Sequence, residues 1–111
     1  MDNSIDKVYD YLLDKKCKDI SIYDLSNESQ DFNLMFVAST PNPLVNKKIA
    51  LQLMNDLGLT TYPEGYNKGE WIIFDLGEMV IHLFVASVRE KYNLDKLWKA
   101  KKMIIKKQNK K

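Results

Sequence analysis

The chain has 111 residues, 45% of them apolar and 29% charged, and a formal net charge of +2. That is enough for one hydrophobic core and too little for two, and no apolar run approaches the roughly 18 residues of a membrane span. The lone cysteine, Cys17, excludes an internal disulfide and a cysteine-based metal cluster and fits a reducing, cytoplasmic setting.

Ile5, Val8, Tyr9, Leu12 and Leu13 recur at helical spacing and predict a helix over Asn3 to Asp14. Asn3 or Ser4 can cap it, and Asp6 suits its first turn. An acidic, helical start is neither a secretory signal nor an Arg-rich transit peptide. Cys17 falls in the connection that follows and reads as an inert, packed thiol. From Asp19 to Leu25 the chain alternates, with Ile20 and Ile22 on one side and Ser21 and Tyr23 on the other. The alternation predicts a strand with one well-buried face. Phe32 to Ala38 is a nearly continuous apolar run, the mark of an interior strand, and Ser39 to Pro43 breaks it.

Asn42 as N-cap and Pro43 at the first helical position open a second helix. Val45, Ile49, Ala50, Leu53, Met54 and Leu57 line its inner face, Lys47 and Lys48 face solvent, and Gly58 ends it. Leu59 to Tyr62 reads as a short strand and Pro63 to Gly69 as a loop. Two apolar runs follow, Trp71 to Phe74 and Met79 to Val85, joined by Asp75-Leu76-Gly77-Glu78, in which Gly77 supplies the reversal. This predicts an antiparallel hairpin with Leu76 at its tip, where a large apolar side chain has little to pack against.

Ser87 to Tyr92 predicts a short helical turn. Asn93 caps a last helix carrying Leu94, Leu97 and Trp98, extending to Met103, Ile104 and Ile105. The first 98 residues hold ten basic and fifteen acidic side chains, a balance of −5, whereas residues 99–111 hold seven lysines and no acid. Such a tail can contact phosphate backbones. The domain therefore spans residues 1–98, with a Lys-rich helical extension or tail over 99–111. The order of elements predicts a mixed sheet flanked by helices, in the α/β or α+β class, with the strands joined by the second helix parallel.

No constellation for catalysis is evident. The chain has no phosphate-cradling G-x-x-x-x-G-K-[ST] and no G-x-G-x-x-G. It also has no Asp-x-Asp or Glu-x-Asp to hold Mg²⁺. The single histidine, His82, lies in a strand that alternates Val80, His82 and Phe84, and reads as a hydrogen-bonded histidine at the core. Neither an enzyme nor a cofactor is expected. Function then belongs to an interface, for which Trp71, Leu76, Met79, Tyr92 and Leu94 are apolar anchors and Asp75 and Glu78 acidic flanks.

An ordered set of motifs gives that interface a family. Gly69 and Trp71 opening a strand, Asp75-Leu76-Gly77-Glu78, and a strand with Val80-Ile81-His82-Leu83-Phe84 are followed by Arg89, Tyr92, Leu94, Asp95, Leu97 and Trp98 as R-x-x-Y-x-L-[acidic]-x-L-W. Together they resemble the ribosomal silencing factor (Iojap) family, strongly from Glu64 to Trp98 and less so over Phe32 to Thr40. The resemblance implies a mixed five-stranded sheet similar in topology to nucleotidyltransferases. It implies a translation repressor that binds the large ribosomal subunit through its ribosomal protein uL-fourteen and sterically blocks subunit joining under nutrient limitation. By the same resemblance Trp71 and Leu76 are contact residues, Asp75 and Glu78 face a basic patch, and the free protein is a homodimer. Lys99, Lys101 and Lys102 are candidates for contact with adjacent ribosomal RNA. The alternatives are a free-standing RNA-binding module using the basic tail and a degenerate nucleotidyltransferase that still binds nucleotide.

Overall fold

The structure, a computed structural model, describes residues 3–24, 34–93, 96 and 102–106. It is a mixed α+β fold. In chain order it runs α1 (Asn3–Asp14), β1 (Lys18–Asp24), β2 (Leu34–Thr40), α2 (Pro43–Leu57), β3 (Trp71–Asp75), β4 (Met79–Val85), α3 (Ala86–Tyr92) and β5 (Lys102–Lys106). The strands lie in the order β3-β4-β2-β1-β5. β2 and β4 pair in parallel from Leu34↔Met79 to Thr40↔Val85, and the other three pairings are antiparallel. No helix among the described residues is long and apolar enough to cross a membrane.

Composition explains this order. β4 is apolar along nearly its whole length and buried from Val80 onward, so it takes an interior place beside β2. β3 alternates between buried and half-exposed residues and takes the edge. The parallel neighbour of β2 is therefore β4, not the strand that directly follows α2 as the order of elements had suggested. The hairpin inserts its more apolar strand.

α1 and α2 cover one face of the sheet. Leu12, Ile49, Ala50 and Leu53 pack there on Ile20, Ile22, Phe36, Ile72, Phe74, Ile81 and Leu83. The opposite face carries a smaller cluster of Tyr23, Met35, Val37 and Phe84, against which Trp71 and Val88 of α3 pack. β1 is thus buried on both faces, Ser21 and Tyr23 included, rather than on one. Burial at about 25 cal/mol per Å² of apolar surface makes these two clusters the main stabilising term.

α2 has the ends its sequence predicts. Asn42 Oδ1 accepts from Val45 N at 2.9 Å, Pro43 begins the helix, and Gly58 ends it in the left-handed region. Its inner face differs in three ways. Leu57 is exposed, and the fully buried Asn46 takes an inner position instead. Lys47 is half-buried, its Nζ lying 5.4 Å from the Tyr66 ring centroid.

Three further expectations are corrected. Ser39 and Thr40 continue β2 rather than ending it, since their hydroxyls find partners inside the fold. Leu59 to Tyr62 forms no strand, and only a single bridge, Glu64↔Ile73, joins this region to β3. Met103, Ile104 and Ile105 are extended in β5 rather than helical, with Met103 paired to Tyr23 and Ile105 to Ile22. Consecutive β-branched residues favour that choice. The last helix predicted over Leu94, Leu97 and Trp98 falls largely outside the described residues.

Candidate functional site

The hairpin supplies two separate clusters rather than one. Trp71 pairs with Phe84 at its open end and Asp75 with Val80 at the turn end. At about 3.3 Å per residue the two ends lie roughly 13 Å apart. Side chains also alternate between faces, so Trp71 and Leu76 emerge on opposite sides of the sheet.

At the turn, Leu76 N donates to Met79 O at 2.9 Å. Gly77 has φ 93°, the positive value that glycine adopts readily and that a tight hairpin reversal needs. Asp75 Oδ1 accepts from Gly77 N at 3.1 Å and pins the reversal. Asp75 and Glu78 are exposed. Leu76 does not project freely, contrary to expectation. It continues the alternation of Ile72 and Phe74, and with Met79 it leans on the main core while remaining half-exposed. An open groove of about 280 Å³ runs beside it, lined by Leu59, Tyr62, Pro63 and Glu64 as well as Phe74 and Asp75.

At the open end, the half-buried Trp71 ring stacks on Phe84, with centroids 4.8 Å apart and planes at 23°. Tyr92 of α3, 57% exposed, approaches from another side at 5.1 Å. The Trp71 indole Nε1 donates to His82 Nδ1 at 2.9 Å. His82 is only 8% exposed, the hydrogen-bonded core histidine its sequence context predicts. Of the remaining candidates, Leu94, Lys99 and Lys101 lie outside the described residues, as does Trp98. Lys102 opens β5 opposite Asp24.

Two residues that hold these clusters in place were not singled out for such a role by sequence. Asn46 Nδ2 donates to Gly69 O and Leu83 O, both at 2.9 Å, and its Oδ1 accepts from Thr40 Oγ1 at 3.0 Å. α2 is thereby tied to the residue two before Trp71 and to the end of β4. Arg89 Nη1 donates to Asp19 O at 2.6 Å and Ser39 Oγ at 2.9 Å, and Nη2 donates to Ser21 Oγ at 3.2 Å. This fork straps α3, and with it Tyr92, across β1 and β2. Gly65, with φ 84°, sits against the Trp71 carbonyl so closely that a Cβ would overlap that oxygen. Burial pushes the Cys17 thiol up to about 12, which keeps it protonated and unreactive near neutral pH. Among the described residues no group of three His, Cys, Asp or Glu side chains could hold a metal ion.

Comparison with known proteins agrees with this architecture. The family model described as "Ribosomal silencing factor during starvation" matches residues 1–111. The ribosomal silencing factor RsfS of Chromobacterium violaceum is 32% identical over 95 residues, covering 82% of this chain and 78% of its own. That of Haemophilus influenzae is 30% identical over 87 residues, covering 75% and 85%. A mouse protein named mitochondrial assembly of ribosomal large subunit protein 1 is 49% identical over a shorter stretch of 35 residues, 32% of this chain and 15% of its own. A crystal structure of a Chromobacterium violaceum protein superposes with a TM-score of 0.76 at 28% identity, covering 96% of this chain and 92% of that one. The chain belongs to the ribosomal silencing factor family.

Proposed function

We propose that this chain represses translation by binding the large ribosomal subunit and blocking its union with the small subunit, without catalysing a reaction. The observation that carries the reading is the family match over the whole chain, joined to a hairpin whose turn presents a half-exposed leucine between two exposed acids. The docking partner is ribosomal protein uL-fourteen. Leu76 and Met79 supply the apolar contact at the turn, and Asp75 and Glu78 meet basic side chains around it. Trp71, Tyr92 and Leu94 extend the contact around the open end of the hairpin. Apolar anchors carry most of the affinity in such an interface, and the charges mainly set specificity and encounter rate.

The two clusters on opposite sides of the hairpin imply that the partner wraps its edge rather than covering one flat face. β3 is an edge strand whose middle is covered by Glu64, bridged to Ile73, and by Gly65 against the Trp71 carbonyl, so the partner reaches the two ends of the hairpin around that segment. Lys99, Lys101 and Lys102 add a salt-sensitive contact with neighbouring ribosomal RNA. Nucleotidyltransferase-like topology enters as a likeness of fold only, and the free protein is a homodimer in the cytoplasm.

Subunit joining followed by light scattering tests this. Purified protein added to large subunits before small subunits should lower the yield of whole ribosomes in proportion to the large subunits occupied. Undiminished joining with the large subunits saturated by protein would contradict the steric mechanism. Loss of binding on raising salt alone, with Leu76→Ala binding normally, would favour the RNA-binding module.

A further inference from the structure

Trp71 is only partly buried, yet its ring is held from several directions. Stacking on Phe84 and contact with Tyr92 define the plane of the indole but do not define which edge faces inward. Rotation by about 180° about χ2 of an aromatic side chain keeps much of the same stacked surface. It would, however, carry the indole N–H to the other side of the ring. What distinguishes the two orientations here is the 2.9 Å hydrogen bond from Trp71 Nε1 to His82 Nδ1. The pairing of the hairpin makes this contact possible. Ile73 lies opposite His82 and Phe84 opposite Trp71, so tryptophan and histidine are diagonal neighbours within reach of long aromatic side chains.

The chemistry fixes the direction of the bond. An indole N–H can only donate, so His82 Nδ1 must present its lone pair, and the imidazole is neutral with its proton on Nε2. No other residue type of this size offers an sp² nitrogen acceptor there. Asparagine places a carbonyl oxygen near the Nδ1 position, glutamine reaches towards the Nε2 position, and leucine offers no acceptor at all.

We infer that His82 is a positioning residue for the docking surface: its Nδ1 selects one orientation of the Trp71 indole before the ribosome arrives. The inference rests on the reading that Trp71 contacts the large subunit. A ring already held in its bound orientation loses less conformational freedom on association, which raises affinity without any new contact to the partner.

The test is a cycle of variants measured for binding to isolated large subunits, after circular dichroism has confirmed folding. His82→Leu should weaken binding by roughly five- to tenfold. Without the acceptor the indole N–H prefers to turn outward to water by about one neutral hydrogen bond, which leaves only about a tenth to a fifth of the molecules in the binding orientation. His82→Asn should remain within about twofold of wild type, since it restores an acceptor near Nδ1. In a Trp71→Phe background, which removes the N–H and keeps the stacked ring, His82→Leu should cause no further loss. Exchange of the Trp71 indole proton by NMR should be slow in wild type and His82→Asn and fast in His82→Leu. Should His82→Leu not fold, His82→Gln replaces it with the same expectations. An equal loss from His82→Leu with and without the Trp71 N–H would overturn the inference, as would unaltered affinity in the folded single variant. If Trp71→Ala itself left binding intact, the docking role of Trp71 would fall, and this inference with it.

Discussion

Asn46→Leu is expected to lower stability by about 2–3 kcal/mol, even though it replaces a polar side chain in the core with an apolar one of similar size. Asn46 is fully buried and makes two 2.9 Å donor bonds, to Gly69 O and Leu83 O. Removing the amide takes a donor from two inward carbonyls, at roughly 1–1.5 kcal/mol each. The Thr40 hydroxyl is less affected, since Phe84 O lies 3.3 Å away as a second acceptor. At about 5 °C per kcal/mol for a domain of this size, the melting temperature should fall by about 10 °C or more. Asn46→Asp should be worse, because it places a carboxylate against two carbonyl oxygens. Thermal unfolding followed by circular dichroism measures both. A change below about 2 °C for Asn46→Leu, or a milder effect for Asp than for Leu, would refute the reasoning.

Other substitutions separate local effects. Gly65→Ala drives a Cβ into the Trp71 carbonyl, whereas Gly77→Ala meets nothing within 4 Å. Urea denaturation should show Gly77→Ala costing about 1–2 kcal/mol from backbone strain alone and Gly65→Ala costing more; the reverse order would contradict the packing described. Arg89→Lys keeps the charge but loses the fork to Asp19, Ser39 and Ser21, for an expected loss of about 1–2 kcal/mol in the same assay. Unchanged stability would show the strap to be idle. Cys17, held by burial at about 12 against an ordinary value near 9, loses its proton in the unfolded chain before it does so in the folded one. The unfolded state then binds fewer protons, and stability should fall as pH rises from about 9 to 12. Tyr11, raised by burial and by its bond to Asp56, acts in the same direction. Cys17→Ala should lessen the alkaline decline in melting temperature; an unchanged pH profile would dismiss the thiol as its source.

What was legible in the sequence is what local chemistry dictates. Asn42, Pro43 and Gly58 act within a turn of themselves and mark the ends of α2. The two apolar runs around Gly77 announce their hairpin for the same reason. Asn46 and Arg89 were harder to find, since their partners lie between 6 and 70 residues away and no spacing rule links them. Leu76 is different. Period-two alternation from Ile72 already places it on the core face, but its position in a turn suggested free projection. The same parity separates Trp71 from Leu76, so a set of interface candidates that looked contiguous became two clusters. Met103 to Ile105 illustrates a further limit, because a short apolar run fits helix and strand equally until a neighbouring edge is available.

The proposed docking of the hairpin turn on the large ribosomal subunit is tested most directly by the affinity of Leu76→Ala for isolated large subunits, with folding verified beside wild type. Leu76 is half-exposed, so truncation should cost stability only about 1 kcal/mol. Loss of a central apolar anchor costs about 2 kcal/mol or more of binding, a drop of roughly thirtyfold. A folded variant that sediments with large subunits as well as wild type does would contradict the account.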